Sequence, residues 1–445
     1  MQSLDARKTL PWILYLIFFS VLNETVFNVS TPAILSRFQL SPAGVSWMMT
    51  SFIVFFGIGT VVFGRLSDLF SIKRLLSIGV LIYASGSLLG FLAQASYPLV
   101  LLARAIQGMG GSSLPALVMV IVARYFAPEV RGRLFGSIGS VVAFAAGLGP
   151  VIGGFVSGRF GWAYLFLIPL LTFAALPFLS RVLPDEERRP GGVDLAGALL
   201  MALGLGGLMV YLTFPVWPWL AVALISISGF VIRVNIAKEP FIEPALLTNK
   251  PFRAGVFASL ALFASLMGVF FVLPLLLSRE AGLSSATIGL VLFPGAISGV
   301  FFGPFAGRLA DACGNRHVLL IGLAFLVGGL ALLPTSLGLA PYGPALVLVA
   351  VNIGVTFFQT GLINSVSQTL TPDKTGVGMG VFNLAGFLAG ALGTSAIGKI
   401  LDAQVLSYGG VLVALALVFA LAGGTYAQGL PKPPTRACTE RAANH

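Results

Sequence analysis

Glu24 is the residue most able to do chemistry. It sits roughly 14 residues into an apolar run that opens at Leu10, whereas the other Asp and Glu residues fall in loops or near the ends of apolar runs. Placing an acid at the centre of a membrane helix costs about 2.5–3.5 kcal/mol, so such a residue faces a cavity or a partner. A carboxyl group held there is a candidate for binding and releasing a proton; the plainer alternative is a structural acid hydrogen-bonded within a helix bundle. Asn28 follows one turn later and shares its helix face. Arg104 is the one basic residue inside an apolar run, and Gln107 lies three positions on. A guanidinium stays charged in lipid and needs carboxylate or carbonyl partners.

Other chemistries find no residues. The two histidines, His317 and His445, lie at or beyond the ends of apolar runs, and Cys313 and Cys438 have no metal-ligand spacing. No apolar run holds a Ser-His or Asp-Asp pair, so a membrane-embedded enzyme is poorly supported and no metal site is expected. The string Gly147-Leu148-Gly149-Pro150-Val151-Ile152-Gly153-Gly154 invites a nucleotide-loop reading, but no strand precedes it and it lies within an apolar run.

The elements that must position Glu24 and Arg104 follow from composition. The chain has 445 residues, 57% hydrophobic and 9% charged, against about 25% charged for a soluble domain. That excludes a water-facing surface and leaves an all-α polytopic membrane protein. Apolar runs long enough to span lie at 10–30, 45–64, 75–95, 97–121, 134–157, 162–183, 193–212, 216–235, 253–277, 285–306, 317–336, 342–368, 375–399 and 407–427. The run beginning at Leu10 reads as an uncleaved first span. The net charge of +11 is spread over short loops, the pattern of a topology signal rather than a nucleic-acid surface. With the N-terminus inside, only Arg37, Arg159, Arg279 and Lys399 fall outside, and both termini come out cytoplasmic. Parity does not separate twelve spans from fourteen.

An internal repeat divides the chain. Gly64-Arg65-Leu66-Ser67-Asp68 lies in an inside loop after the second span, and Gly307-Arg308-Leu309-Ala310-Asp311 in one after the tenth. The reading is a six-helix bundle over 1–183, an inserted two-helix hairpin and linker over 184–250, a second six-helix bundle over 251–428 and a cytoplasmic tail over 429–445. Two related bundles suit transport, because a site between them can face either side as they rock.

With these strings, Arg104-Ala105-Ile106-Gln107-Gly108-Met109-Gly110, and the glycine string of the fifth span, the chain resembles the major facilitator superfamily. Within it, the chain is similar to the fourteen-helix drug–proton antiporters, above all the tetracycline–proton antiporters of Gram-positive bacteria. The opening Leu22-Asn23-Glu24-Thr25-Val26-Phe27-Asn28 adds to that likeness. The resemblance implies a proton-coupled exporter of amphiphilic small molecules in the bacterial plasma membrane, a monomer driven by the proton gradient without a cofactor, with lipid, substrate and protons as its partners and no nucleic acid. A nutrient–proton symporter of the same fold is the alternative, and uncoupled flux would reveal a channel.

The resemblance also implies roles. Glu24 and Arg104 carry proton coupling, Arg104 through proton transfer or as a clamp between helices. Gly149, Pro150, Gly153 and Gly154 form the exporter string that packs against the second half. Gly64, Asp68 and Arg74, with Gly307, Asp311 and Arg316, form latches that hold the cytoplasmic side shut; Ser71 stands where that motif often has a glycine. Asp194 opens the seventh span. A helix cap accounts for it, while the tetracycline group has an Asp at the matching place, so a second ion-linked site stays open. The candidate substrate-facing set is Asn23, Asn28, Gln107, Asn352, Gln359 and Asn383. Gly390 stands where the tetracycline members carry a glutamate, which puts tetracycline in doubt as cargo.

Overall fold

The computed structural model describes residues 6–126, 128–184, 194–237, 249–370 and 375–430. Their spans are α1 (Lys8–Phe38), α2 (Pro42–Leu69), α3 (Ile72–Leu92), α4 (Tyr97–Tyr125), α5 (Pro128–Arg159), α6 (Trp162–Val182), α7 (Leu195–Thr213), α8 (Trp217–Ile236), α9 (Lys250–Arg279), α10 (Ser285–Cys313), α11 (Asn315–Ser336), α12 (Tyr342–Ser367), α13 (Thr375–Asp402) and α14 (Tyr408–Gly429). Thirteen are long and apolar enough to cross a membrane; the apolar stretch of α7, Ala196–Leu208, is shorter. The chain is an all-helical, multi-pass membrane protein.

Short polar residues set where spans begin. The side chains of Ser41, Asn249, Ser284 and Ser407 each accept from a backbone N–H three residues on, meeting one of the orphan donors of a helix start. Gly161 turns the chain into α6 at φ +104°, a conformation a side chain disfavours.

α1 breaks in its middle. A proline at 32 has no N–H and would crowd the carbonyl of Asn28 in a regular helix. The chain responds with a 3₁₀ turn over Asn28–Ser30, and the Thr31 hydroxyl donates to the Asn28 carbonyl at 2.9 Å.

Helices in lipid gain no hydrophobic drive from one another, so close approach falls to small residues. In the first bundle Gly108 of α4 rests on the Phe52 backbone of α2, and Gly110 on the Tyr83 backbone of α3. In the second, Gly354 of α12 rests on the Leu326 backbone of α11, and Gly322 on that of Phe358.

Two seams join the bundles. Gly154 and Gly147 of α5 meet Ser285–Ala286 and Ala296–Ile297 of α10, and Gly289 meets the Pro150 backbone. Along α2 and α13, Gly398 meets Pro42 and Ala43, and the Thr50 and Ser395 hydroxyls lie 3.2 Å apart. Both seams start at the turns near residues 40, 160, 282 and 405. Toward the other side, Gly64, Gly139 and Gly307 would bring a side chain within 4 Å of nothing. Among the described residues, the bundles are therefore closed on one side and parted on the side that carries the repeated loops. The latch carboxylates Asp68 and Asp311 lie outside the described side chains; Arg74 is exposed and Arg316 half-buried.

The hairpin α7–α8 is tied at its base by Asp194, which accepts from the Gly197 N–H at 2.9 Å and from Arg233 Nε at 3.0 Å. α7 touches both α2 and α13, whereas α8 shows Leu224, Ile225 and Ile232 outward.

Candidate functional site

The first bundle buries a charge at its centre. Arg104 on α4 is 1% exposed. Its Nε donates to the Met48 carbonyl at 3.1 Å and its Nη1 to Gln107 Oε1 at 3.1 Å. Gln107 Nε2 in turn donates to Ser87 Oγ on α3 at 2.8 Å. The guanidinium carbon lies 4.3 Å from the ring centre of Phe27 and 4.2 Å from that of Phe52. Cation–π contacts of this kind are worth about 2 kcal/mol when desolvated.

Glu24 is within reach of that charge but forms no direct ion pair with it among the described residues. It lies deep within the protein and still keeps accessible surface. Its backbone is pinned from α5. A side chain at Gly149 would strike Thr25, and one at Gly153 would strike the Val26 carbonyl. The fifth-span glycines thus serve two neighbours, α1 in their own bundle and α10 in the other.

From Arg104 a run of rings reaches the second bundle. Phe52 and Phe56 have centroids 5.4 Å apart, and Phe56 meets Phe387 of α13 edge-on at 5.4 Å. A change at Arg104 therefore has packed neighbours all the way to the α2–α13 seam.

The structure brings Asn23, Glu24, Arg104 and Gln107 together and leaves the other polar candidates apart. Asn23 and Gln107 are both 0% exposed, closed off within the packed helices. Asn28 sits in the break of α1, half-buried, its Oδ1 buried without a partner. Asn352 bonds back to the Leu348 carbonyl at 2.9 Å, against Gly295 of α10. Gln359 lines an apolar cleft with Phe263, Leu326, Phe358 and Phe419. Asn383 is exposed on α13. Asp194 has its cap and its ion pair, and no contact joins it to Glu24 or Arg104. Sequence reasoning missed Phe27, Phe52, Ser87 and Tyr83. Tyr83 is the one tyrosine in its apolar run; nothing marked the two rings among 36 phenylalanines.

Two helical bundles joined along two seams, with an acid and a guanidinium held within the first, have the architecture of a membrane transporter. A profile of the Major Facilitator Superfamily matches residues 13–394, and the chain belongs to that family. It is similar to the riboflavin transporter RibZ of Clostridioides difficile (strain 630), 28% identical over 420 residues that cover 89% of each chain. It is also similar to the multidrug transporter protein MdtP of Bacillus subtilis (strain 168), 24% identical over 91% of this chain and 77% of that one. In fold it matches the human organic anion transporter MFSD10 (TETRAN) with a TM-score of 0.66, 17% identity, and coverage of 95% of this chain and 99% of that one. A bacterial homologue of the lysosomal transporter Spinster, in an inward-facing and unoccupied conformation, matches with a TM-score of 0.66 and 15% identity over 94% and 95% of the two chains. The protein is a transporter of this superfamily, not an enzyme.

Proposed function

We propose that the protein exports amphiphilic small molecules in exchange for protons. One observation carries the reading: an accessible carboxyl group, Glu24, lies within charge range of a guanidinium, Arg104, that has no carboxylate bound to it among the described residues. A buried cation of this kind depends on the nearby negative charge. In the parted state, ionised Glu24 balances Arg104 and favours a neutral or cationic cargo. After the bundles rock, a proton neutralises Glu24, cargo leaves, and Arg104 loses its counter-charge. That change is passed to the Phe52–Phe56–Phe387 contact and favours return. Each charge moved across the membrane is worth about 2.3 kcal/mol per 100 mV, so exchange of one proton for a neutral cargo is electrogenic.

The basic-loop bias supports an orientation with the parted side and both termini in the cytoplasm of a bacterial plasma membrane. Asn28, Asn352, Gln359 and Asn383 are the polar groups proposed to meet cargo. Asp68 and Asp311 are proposed to latch the parted side when it closes. Asp194 serves the hairpin first; a second ion-linked role is the lesser proposal.

The test uses inverted vesicles with a preset pH gradient and a panel of tetracycline, fluoroquinolones, cationic dyes and riboflavin. Export predicts proton release on addition of at least one compound to wild type and none with Glu24→Gln. If no compound moves protons with either form, the antiport reading fails. The likeness to a riboflavin transporter favours one second reading, a proton-coupled importer of a nutrient or metabolite. Cargo and protons moving in the same direction would establish it instead.

A further inference from the structure

The α2–α13 seam has a regular register with a polar exception at its centre. Ala43, Thr50 and Gly57 of α2 meet Gly398, Ala391 and Leu384 of α13, so contacts recur every seven residues on both helices. At the mouth, a side chain at Gly398 would lie 3.0 Å from the Ala43 backbone; deeper in, one at Gly57 would lie 3.5 Å from Leu384. A seven-residue repeat of small or apolar residues packs two helices tightly, and a polar group at one such position fixes register while loosening the grip.

Thr50 and Ser395 form that polar group. Both are 0% exposed. The Thr50 hydroxyl donates to the Ala391 carbonyl at 3.4 Å and lies 3.2 Å from Ser395 Oγ. A hydroxyl has one proton, so Ser395 donates to Thr50. Both distances are long for O–H···O bonds. Elsewhere in the spans Ser51, Thr60, Ser87, Thr356 and Thr394 donate to the carbonyl four residues back, at 2.6–2.9 Å. The same local bonds are open to Thr50, toward Ser46, and to Ser395, toward Ala391, once the helices separate. Parting therefore exchanges two long bonds between bundles for two shorter ones within helices. Water entering the mouth favours exposed hydroxyls and penalises methyl groups in their place. Phe52, whose ring lies over Arg104, sits on the face of α2 opposite Thr50, so one helix joins the buried charge to the seam.

We propose that Thr50 and Ser395 are positioning residues that weaken the closed mouth enough for it to release when the bundles rock. Apolar residues at these two places would hold the carrier shut on that side. The proposal requires neither Glu24 as the proton carrier nor a particular cargo.

The test reads opening directly. Ser46, 0% exposed, lies against Gly398 at the mouth. Purified Ser46→Cys protein is treated with a bulky water-soluble maleimide, and its labelling is counted above that of the parent, which carries Cys313 and Cys438. Adding Thr50→Val or Ser395→Ala slows that labelling roughly threefold or more, and melting temperatures stay level or rise. Thr50→Ser, which keeps the hydroxyl, and Thr394→Val, whose hydroxyl already bonds within its helix, leave the rate unchanged. Faster labelling with Thr50→Val and Ser395→Ala would make the pair a clasp that holds the mouth shut, and overturns the proposal. An unchanged rate in either, a fall in melting temperature in both, or equal slowing with Thr394→Val overturns it as well. So does a Ser46→Cys protein that never labels above the parent, because its mouth does not release.

Discussion

The two bundles place opposite contents at comparable positions. Between α1, α3 and α4 the first holds Glu24, Arg104, Gln107 and Tyr83. Between α9, α11, α12 and α14 the second holds an apolar cleft whose one polar lining residue is Gln359. Helix approach is the same in both, with glycines of α4 and α12 pressed on the backbones of α3 and α11. The scaffold is thus shared and the chemistry is not. One bundle holds an acid and a guanidinium; the other offers an apolar cleft with no titratable lining residue.

The strongest way to break that contrast is Glu24→Gln. It should reduce cargo-driven proton release roughly a hundredfold or more in inverted vesicles, and equal activity would remove the acid from the mechanism. Next comes Arg104→Ala, which strands Glu24, the Met48 carbonyl and Gln107 without their cation. It should lower stability by about 3 kcal/mol in thermal unfolding and abolish transport. Arg104→Lys should also fail in transport, because an ammonium cannot sit flat between Phe27 and Phe52 while bonding two oxygens.

Gly153→Ala tests the support of the acid rather than the acid. The added methyl meets the Val26 carbonyl, so α1 must shift, and transport should fall roughly tenfold with Glu24 intact. On the other side of the comparison, Gln359→Leu should leave proton coupling unchanged and stability within about 1 kcal/mol. Its effect should appear in the ranking of cargoes, measured as competition among the panel compounds. The smallest effect is expected for Asp194→Asn. Losing the charge in the hairpin cap should cost about 1 kcal/mol in unfolding and leave transport in place. A folded Asp194→Asn protein without transport would restore that residue to the coupling scheme.

The spans were legible because an apolar run of the right length has one stable form in lipid, a helix with its backbone bonds internal. The lone acid and lone base inside those runs were legible for the same reason, since each is too costly to be idle. The hairpin was the least secure reading, and α7 is indeed the shortest apolar stretch. Asn352 and Gln359, seven apart on one helix, were grouped by periodicity, yet one faces α10 and the other a cleft against α9, α11 and α14. Spacing along a helix fixes a face, not the neighbour that a crossing helix presents to it.

By itself, then, the sequence determined the membrane-spanning helical architecture, the twofold repeat and the pair of ionisable residues within the spans, because burial in lipid penalises every polar exception. Only the tertiary structure decided that the guanidinium lies between two rings, that Glu24 keeps an accessible face while Asn23 beside it has none, and that one mouth is closed. Those are matters of how helices cross, set by a few glycines and by side-chain volume, and no one-dimensional pattern carries a crossing angle.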